Sequence, residues 1–230
     1  MSNCEFAEQH FGAVNQRIDK ACQAAGRERN SVRLIGASKK KEPSLLQFFH
    51  QVGLNDLGEN YLQEAIAKQE VLDNCALNWH FIGSIQSNKT KLIAKHFNWV
   101  HGVDRIKIAQ RLARQNPHKA PIKILIQLNP DLEDSKAGVA LTSAGELADA
   151  IAQIRDLELH GFMMIPMSRE KQSEQRRVFA KARKTLESTN QRYGLNLQHL
   201  SMGMSGDLEA AVAEGSTMLR IGTDLFGART

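Results

Sequence analysis

The sequence predicts a single (β/α)8 TIM barrel preceded by one additional helix, and three observations carry that expectation. Eight short apolar runs recur along the chain: "VRLIGAS", "LNDLGEN", "NWHFIGS", "NWVHGVD", "IKILIQLN", "LELHGFMMIP", "LQHLSMGMS" and "STMLRIG". Most are separated by stretches with helical spacing, such as Leu147, Ile151 and Ile154, or Val178, Ala182 and Leu186. Several of the runs are apolar on successive positions rather than alternating, which suits parallel strands covered on both faces. No Gly/Ser-rich or Pro-rich linker and no internal repeat interrupts the 230 residues, so one domain spanning 1–230 is expected. An open doubly wound sheet uses the same units, but eight of them in about 200 residues fit a closed barrel better.

The first element is helical. Phe11, Val14, Ile18, Cys22 and Ala25 recur at three- and four-residue spacing, and Gly26 follows as a C-terminal cap. This helix, within residues 1–26, precedes the first strand and is expected to cover the bottom of a barrel that occupies residues 32–227.

Composition narrows the function classes. Hydrophobic residues make up 42% of the chain, and no apolar run approaches the roughly 20 residues of a membrane helix. "MSNCEFAEQHFGAVNQRIDK" carries acids and amides where a secretory signal has an apolar core, so a cytoplasmic protein is expected. Cys4, Cys22 and Cys75 are odd in number and far apart, which disfavours disulfides and a thiolate metal site. The eight histidines form no H-x-x-x-H or H-E-x-x-H pattern, and no metal is expected. A net charge of +5 permits an anionic ligand, but the basic residues are scattered among 25 acids. A phosphorylated small molecule is therefore favoured over nucleic acid.

Barrel active sites form at the C-terminal ends of the strands. In order, those ends carry Lys39, Glu59 and Asn60, Ser84, Asp104, Asn129, the Met163–Pro166 segment, Ser205, and Arg220 to Thr223. Any one of these also suits an ordinary turn. The last two ends say more: "SMGMSGD" and "RIGTDLFG" combine glycine with a hydroxyl residue, which lets backbone and hydroxyl groups approach phosphate oxygens. Barrels commonly hold a phosphate in this corner, after strands seven and eight. If Leu219 and Ile221 pack outward, the two-residue period points Met218 and Arg220 into the barrel. A buried guanidinium needs a partner. A lysine, an inward arginine and a phosphate corner on one barrel mouth suggest pyridoxal phosphate.

Which lysine of "LIGASKKKEPS" faces that mouth is only half legible. Continued as a strand, the segment puts Lys39 and Lys41 on one face and Lys40 on the other, solvated. Parity does not choose between Lys39 and Lys41.

"ASKKKEP", "GENYLQEA", "WHFIGSIQSNK", "SKAG" and "LSMGMSGDLEAAVAEGSTMLRIGTDLFGAR" together resemble the pyridoxal phosphate homeostasis proteins. The resemblance runs in order from Lys39 to Arg229, and its last block is highly specific. It implies a barrel like the N-terminal domain of alanine racemase, pyridoxal 5′-phosphate held on a lysine, and a role in cofactor supply and balance. It identifies Lys39 as the Schiff-base lysine and Ser205 as a phosphate ligand. Arg220 is then assigned toward the pyridine nitrogen, Gly222 and Thr223 toward the phosphate, and Asn60 to the lining near the ring. Two departures stand out: "SKKK" replaces S-K-T-K, and Ser84 stands where the family usually has histidine.

The expectation is a non-catalytic, monomeric cofactor-binding protein whose partners are pyridoxal phosphate and the apo-enzymes that use it. The alternative is a racemase-like enzyme, which needs a tyrosine opposite the lysine. In the racemases that this chain resembles, the tyrosine comes from a second domain, for which no room is expected after "FGART". Tyr61 and Tyr193, the two tyrosines of the chain, fall at a helix start and near a helix end. A Schiff-base aldolase would need an acid/base partner for Lys39. Glu59 and Asp104 are of the right type, but spacing marks out neither.

Overall fold

The fold was obtained as a computed structural model, and the structure describes residues 2–131 and 137–228. Ser135 and Lys136 of "SKAG", and Arg229, lie outside the described residues.

All eight apolar runs form strands, joined in a closed parallel barrel in chain order. They are β1 (Arg33–Ala37), β2 (Asp56–Glu59), β3 (Asn78–Phe81), β4 (Trp99–Val103), β5 (Ile122–Leu128), β6 (Leu157–Met164), β7 (His199–Ser201) and β8 (Met218–Ile221). β8 closes on β1 with Arg220 opposite Ile35. Outside the sheet run α1 (Asn3–Ala24), α2 (Pro43–Gln51), α3 (Leu62–Val71), α4 (Thr90–His96) and α5 (Ile106–Gln115). α6 (Ala144–Ala152), α7 (Gln172–Tyr193), α8 (Leu208–Ala213) and α9 (Thr223–Phe226) complete the outer layer.

The apolar positions divide as strand parity requires. Ile35, Trp99, Leu125, Met163 and Met218 point inward and form a small cluster along the barrel axis. Their neighbours, such as Leu34, Ile124, Phe162 and Leu219, point outward into a larger core shared with Leu46, Phe49, Ile93, Leu112 and Phe179 of the helices. Local signals set the ends of the helices. Ser2 and Glu5 form a reciprocal capping box on α1, Pro43 opens α2, and Gly194 ends α7 in the left-handed region at φ 64°.

The tightest glycine position among the described residues is Gly161. Gly161 has φ 151° at the irregularity where β5 and β6 change register, and a Cβ there would lie 1.9 Å from the His199 carbonyl oxygen. The absent side chain lets β6 and β7 approach at this bulge.

The expectation that α1 covers the bottom of the barrel is overturned. α1 packs against α2, α8 and α9, on the side of the barrel at the β8–β1 seam. The reason is length: α8 and α9 have six and four residues, too few to cover that seam, and α1 supplies Val14, Ile18 and Cys22 to do so. Trp99 plugs the bottom instead. Its indole stacks on His80 (5.7 Å between centroids, 11° between planes) and contacts His160 and His199. The cations of Arg33 and Lys123 sit 5.7 and 5.5 Å from its ring centroid. Among the described residues no helix is long and apolar enough to cross a membrane, and no cluster of His, Cys, Asp or Glu has the grouping of a metal site.

Candidate cofactor site

At the C-terminal mouth, the ends of β1, β7 and β8 enclose a cavity of about 270 Å³. Ala37, Lys39 and Lys41 line it from β1, Met204, Ser205 and Gly206 from β7, and Arg220, Gly222 and Thr223 from β8, with Gly227 beyond α9. Five of the six residues expected at the site thus meet in one place. Asn60 does not line this cavity. It lines a neighbouring one of about 460 Å³ together with Tyr61, Gly83, Ser84 and Lys89, and its buried Oδ1 has no hydrogen-bond partner. A Cβ on Gly83 would meet the Asn60 carbonyl oxygen at 2.4 Å, so glycine there is what lets the ends of β2 and β3 converge on Asn60.

The lysine segment is not a continued strand. β1 ends at Ala37, and a turn follows in which Lys41 N donates to Ser38 O at 3.1 Å while Lys40 takes φ 60°. Strand parity therefore does not extend to Lys41, and the turn itself brings Lys41 back to the cavity. Its Nζ donates to Ala228 O at 2.9 Å. The Lys40 side chain is exposed, and its backbone N–H donates to Glu64 Oε1. Beneath the turn, Lys68 Nζ on α3 donates to Ser38 O and Glu59 Oε1, both at 2.6 Å, and to Glu64 Oε1 at 2.7 Å. This buried cation ties the ends of β1 and β2 together next to Lys39.

The opposite corner is built by Asp207 and Asp224. Met204 N donates to Asp207 Oδ1 at 2.6 Å, which shapes the loop holding Ser205. Asp224 N donates to Ser205 Oγ at 3.3 Å, and Arg17 of α1 reaches the Ser205 carbonyl at 3.2 Å. Gly222 leaves space a side chain would fill: a Cβ there would come within 3.3 Å of Ala37 O.

Arg220 points into the barrel, as parity requires, and is buried. Its Nη1 donates to Ser201 Oγ at 2.7 Å and its Nη2 to Met164 O at 2.9 Å. Burial lowers its pKa to about 10, with Asp207 acting in the opposite direction, so it remains a cation at neutral pH.

Glu59 and Asp104 do not line the cavity. Glu59 is buried between Lys68 and Ser38, and that burial raises its carboxyl pKa against their hydrogen bonds. Asp104 pairs with Arg105 at 2.7 Å. Sequence reading missed Lys68 and the inward polar residues His80, His101 and Ser201. The last three are buried inside the barrel, and the partners that make them tolerable come from other strands.

Residues 11–230 match the alanine racemase N-terminal domain family. The pyridoxal phosphate homeostasis protein of Pseudomonas aeruginosa is 49% identical over 96% of this chain and 95% of its own. A protein of Bifidobacterium adolescentis described as unknown has a crystal structure that superposes with TM-score 0.91 at 31% identity, covering 97% of this chain and 96% of that one. PipY of Synechococcus elongatus, solved with pyridoxal phosphate bound, gives TM-score 0.81 at 34% identity, covering 91% of this chain and 99% of that one. With its barrel and these relatives, the chain belongs to the pyridoxal phosphate homeostasis protein family, built on the alanine racemase N-terminal domain.

Proposed function

We propose that this protein binds pyridoxal 5′-phosphate in the 270 Å³ cavity and holds and supplies the cofactor in the cell without efficient amino-acid turnover. The observation that carries the reading is the convergence of Lys39, Ser205, Arg220, Gly222 and Thr223 on one cavity. The donor set suits the ligand. Hydroxyls and the open backbone at Gly222 face one corner, where a phosphate dianion needs donors. A permanently cationic guanidinium lies beside it, and the lysine amine stands on the β1 wall. When bound, the cofactor supplies an aldehyde carbon to which an amine can attach covalently.

Each residue then has a distinct role. Lys39 provides the attaching amine, Ser205 and Thr223 donate hydroxyl hydrogen bonds to the phosphate, and Gly222 lets the backbone approach it. Arg220 would donate to the ring nitrogen and, being a cation that only donates, would keep that nitrogen unprotonated. That weakens the ring as an electron sink and disfavours carbanion chemistry. Asn60 lines the cavity at the ends of β2 and β3, where its unpartnered Oδ1 is free to accept a hydrogen bond.

The tyrosines support binding without turnover. Tyr61 is the N-cap of α3 and lines the neighbouring cavity, while Tyr193 ends α7 and its ring packs at Gly145. Neither reaches the cavity that holds Lys39. Delivery to apo-enzymes is the second half of the proposal. The test pairs an assay of racemisation across the common amino acids with cofactor transfer to an apo-enzyme. Transfer with negligible turnover supports the reading. Racemisation at or above about 1 per second, lost in Lys39→Ala, makes the protein an enzyme. A purified chain that stays colourless with added cofactor removes the binding reading.

A further inference from the structure

A line of buried polar side chains runs along the barrel axis beneath Arg220. Arg220 Nη1 lies 2.7 Å from Ser201 Oγ, Ser201 Oγ 2.9 Å from His101 Nδ1, and His101 Nε2 3.0 Å from His80 Nδ1. His80 Nε2 then lies 2.9 Å from Asp56 Oδ1 at the barrel floor. Ser201, His101 and His80 are completely buried, and five strands contribute to the line.

The two ends dictate its direction. A guanidinium has only donors, so Ser201 Oγ must accept from Arg220 and has one proton left to give. At the other end the same Asp56 Oδ1 already accepts from Arg33 at 3.2 Å, so it is an acceptor and takes the His80 Nε2 proton. With both imidazoles neutral, a single arrangement gives each proton in the line an acceptor. Arg220 donates to Ser201, Ser201 to His101 Nδ1, His101 Nε2–H to His80 Nδ1, and His80 Nε2–H to Asp56. Protonating His80 reverses the middle links and leaves the Ser201 hydroxyl accepting twice, its own proton outside the line. Burial disfavours that charge on both rings. Trp99, stacked at 11° on His80, fixes the plane of the ring.

We propose that Ser201, His101, His80 and Asp56 are positioning residues that hold Arg220 at the cavity through a one-way hydrogen-bond chain. The chain starts from a cation and ends on a carboxylate, so each link is polarised in the same sense. Together with Met164 O it fixes the guanidinium at two nitrogens. A rigid Arg220 presents its donor to a ring nitrogen without reorganising. The geometry stands on its own, whereas its effect on the ligand rests on the cofactor reading above.

Two measurements test this. In the cofactor-free wild type, 15N NMR of labelled histidine should show His80 and His101 both neutral and protonated at Nε2 at pH 7.5. Protonation of either ring at Nδ1 overturns the chain. For the effect on the ligand, Ser201→Ala should weaken pyridoxal phosphate binding about ten-fold and shift the visible band of the bound cofactor. Ser201→Thr, which keeps the hydroxyl, should restore both. Unchanged affinity and band in a folded Ser201→Ala protein overturn the positioning role. Failure of the wild type itself to bind would remove the cofactor reading and with it the role at the ring, leaving the NMR result to decide the chain. Should Ser201→Ala not fold, the tautomers in the wild type decide on their own.

Discussion

Lys68 Nζ stands 2.6 Å from Glu59 Oε1, in an ion pair whose side chains are 5% and 0% exposed. The pair lies directly under the turn that carries Lys39, because the same ammonium also holds Ser38 O. Removing one member strands the other: in Lys68→Met, the Glu59 carboxyl must protonate or stay buried as an unpaired charge. The expected loss is about 3–5 kcal/mol in urea unfolding, and adding Glu59→Gln to that variant should recover part of it. Equal stability of Lys68→Met and wild type would show that the pair does not lock this end of the barrel.

Lys39→Ala should abolish the visible band of bound cofactor while leaving the fold intact, since Lys39 sits in a turn beyond the last residue of β1. Borohydride reduction of the loaded wild type, followed by peptide mapping, should place the label on Lys39. Lys41 shares the cavity and is the sharpest competitor. Label found mainly on Lys41 would reassign the attachment point.

The phosphate corner predicts a graded response. Ser205→Ala and Thr223→Ala should each weaken binding by about 1–3 kcal/mol, the worth of a hydrogen bond to a charged oxygen. Pyridoxal without its phosphate should bind far more weakly than the phosphorylated form in the same titration. Equal affinities for the two would exclude a phosphate cradle between β7 and β8.

The buried histidines make the protein acid-sensitive. Burial, opposed by Asp56, lowers the pKa of His80. Burial together with the charges of His80 and Arg220 holds His101 well below its usual range. His199 is lowered to about 4 by burial, then by His160 and the cations Arg33 and Lys123. Folded values below the unfolded 6.5 mean that full stability is present above pH 6.5. It is lost as the pH falls toward 4, where the unfolded chain binds protons that the folded chain refuses. His80 and His101, both held below their ordinary value in the folded chain, should each add to that loss. Urea midpoints at pH 7.5 and 5 check this, and identical midpoints would contradict it.

The sequence by itself determined the architecture. Eight apolar runs, each apolar on successive positions or nearly so, have no stable arrangement except strands covered on both faces, and the helical spacings between them supply the cover. Parity also put Met218 and Arg220 inside. The glycine and hydroxyl residues after the last two strands marked the corner where Ser205, Gly222 and Thr223 meet. Only the tertiary structure decided the rest, because those features depend on contacts between segments far apart in the chain. It bent "SKKK" into a turn, which returned Lys41 to the cavity and voided the parity argument there. It moved α1 from the floor to the β8–β1 seam, since the coverage needed there depends on how short α8 and α9 are. It set Asn60 in the adjoining cavity, and it joined Asp56, His80, His101, Ser201 and Arg220 across strands whose register no local pattern encodes. Periodicity fixes which face a side chain takes, but which partner it meets on that face follows only from the closure of the barrel.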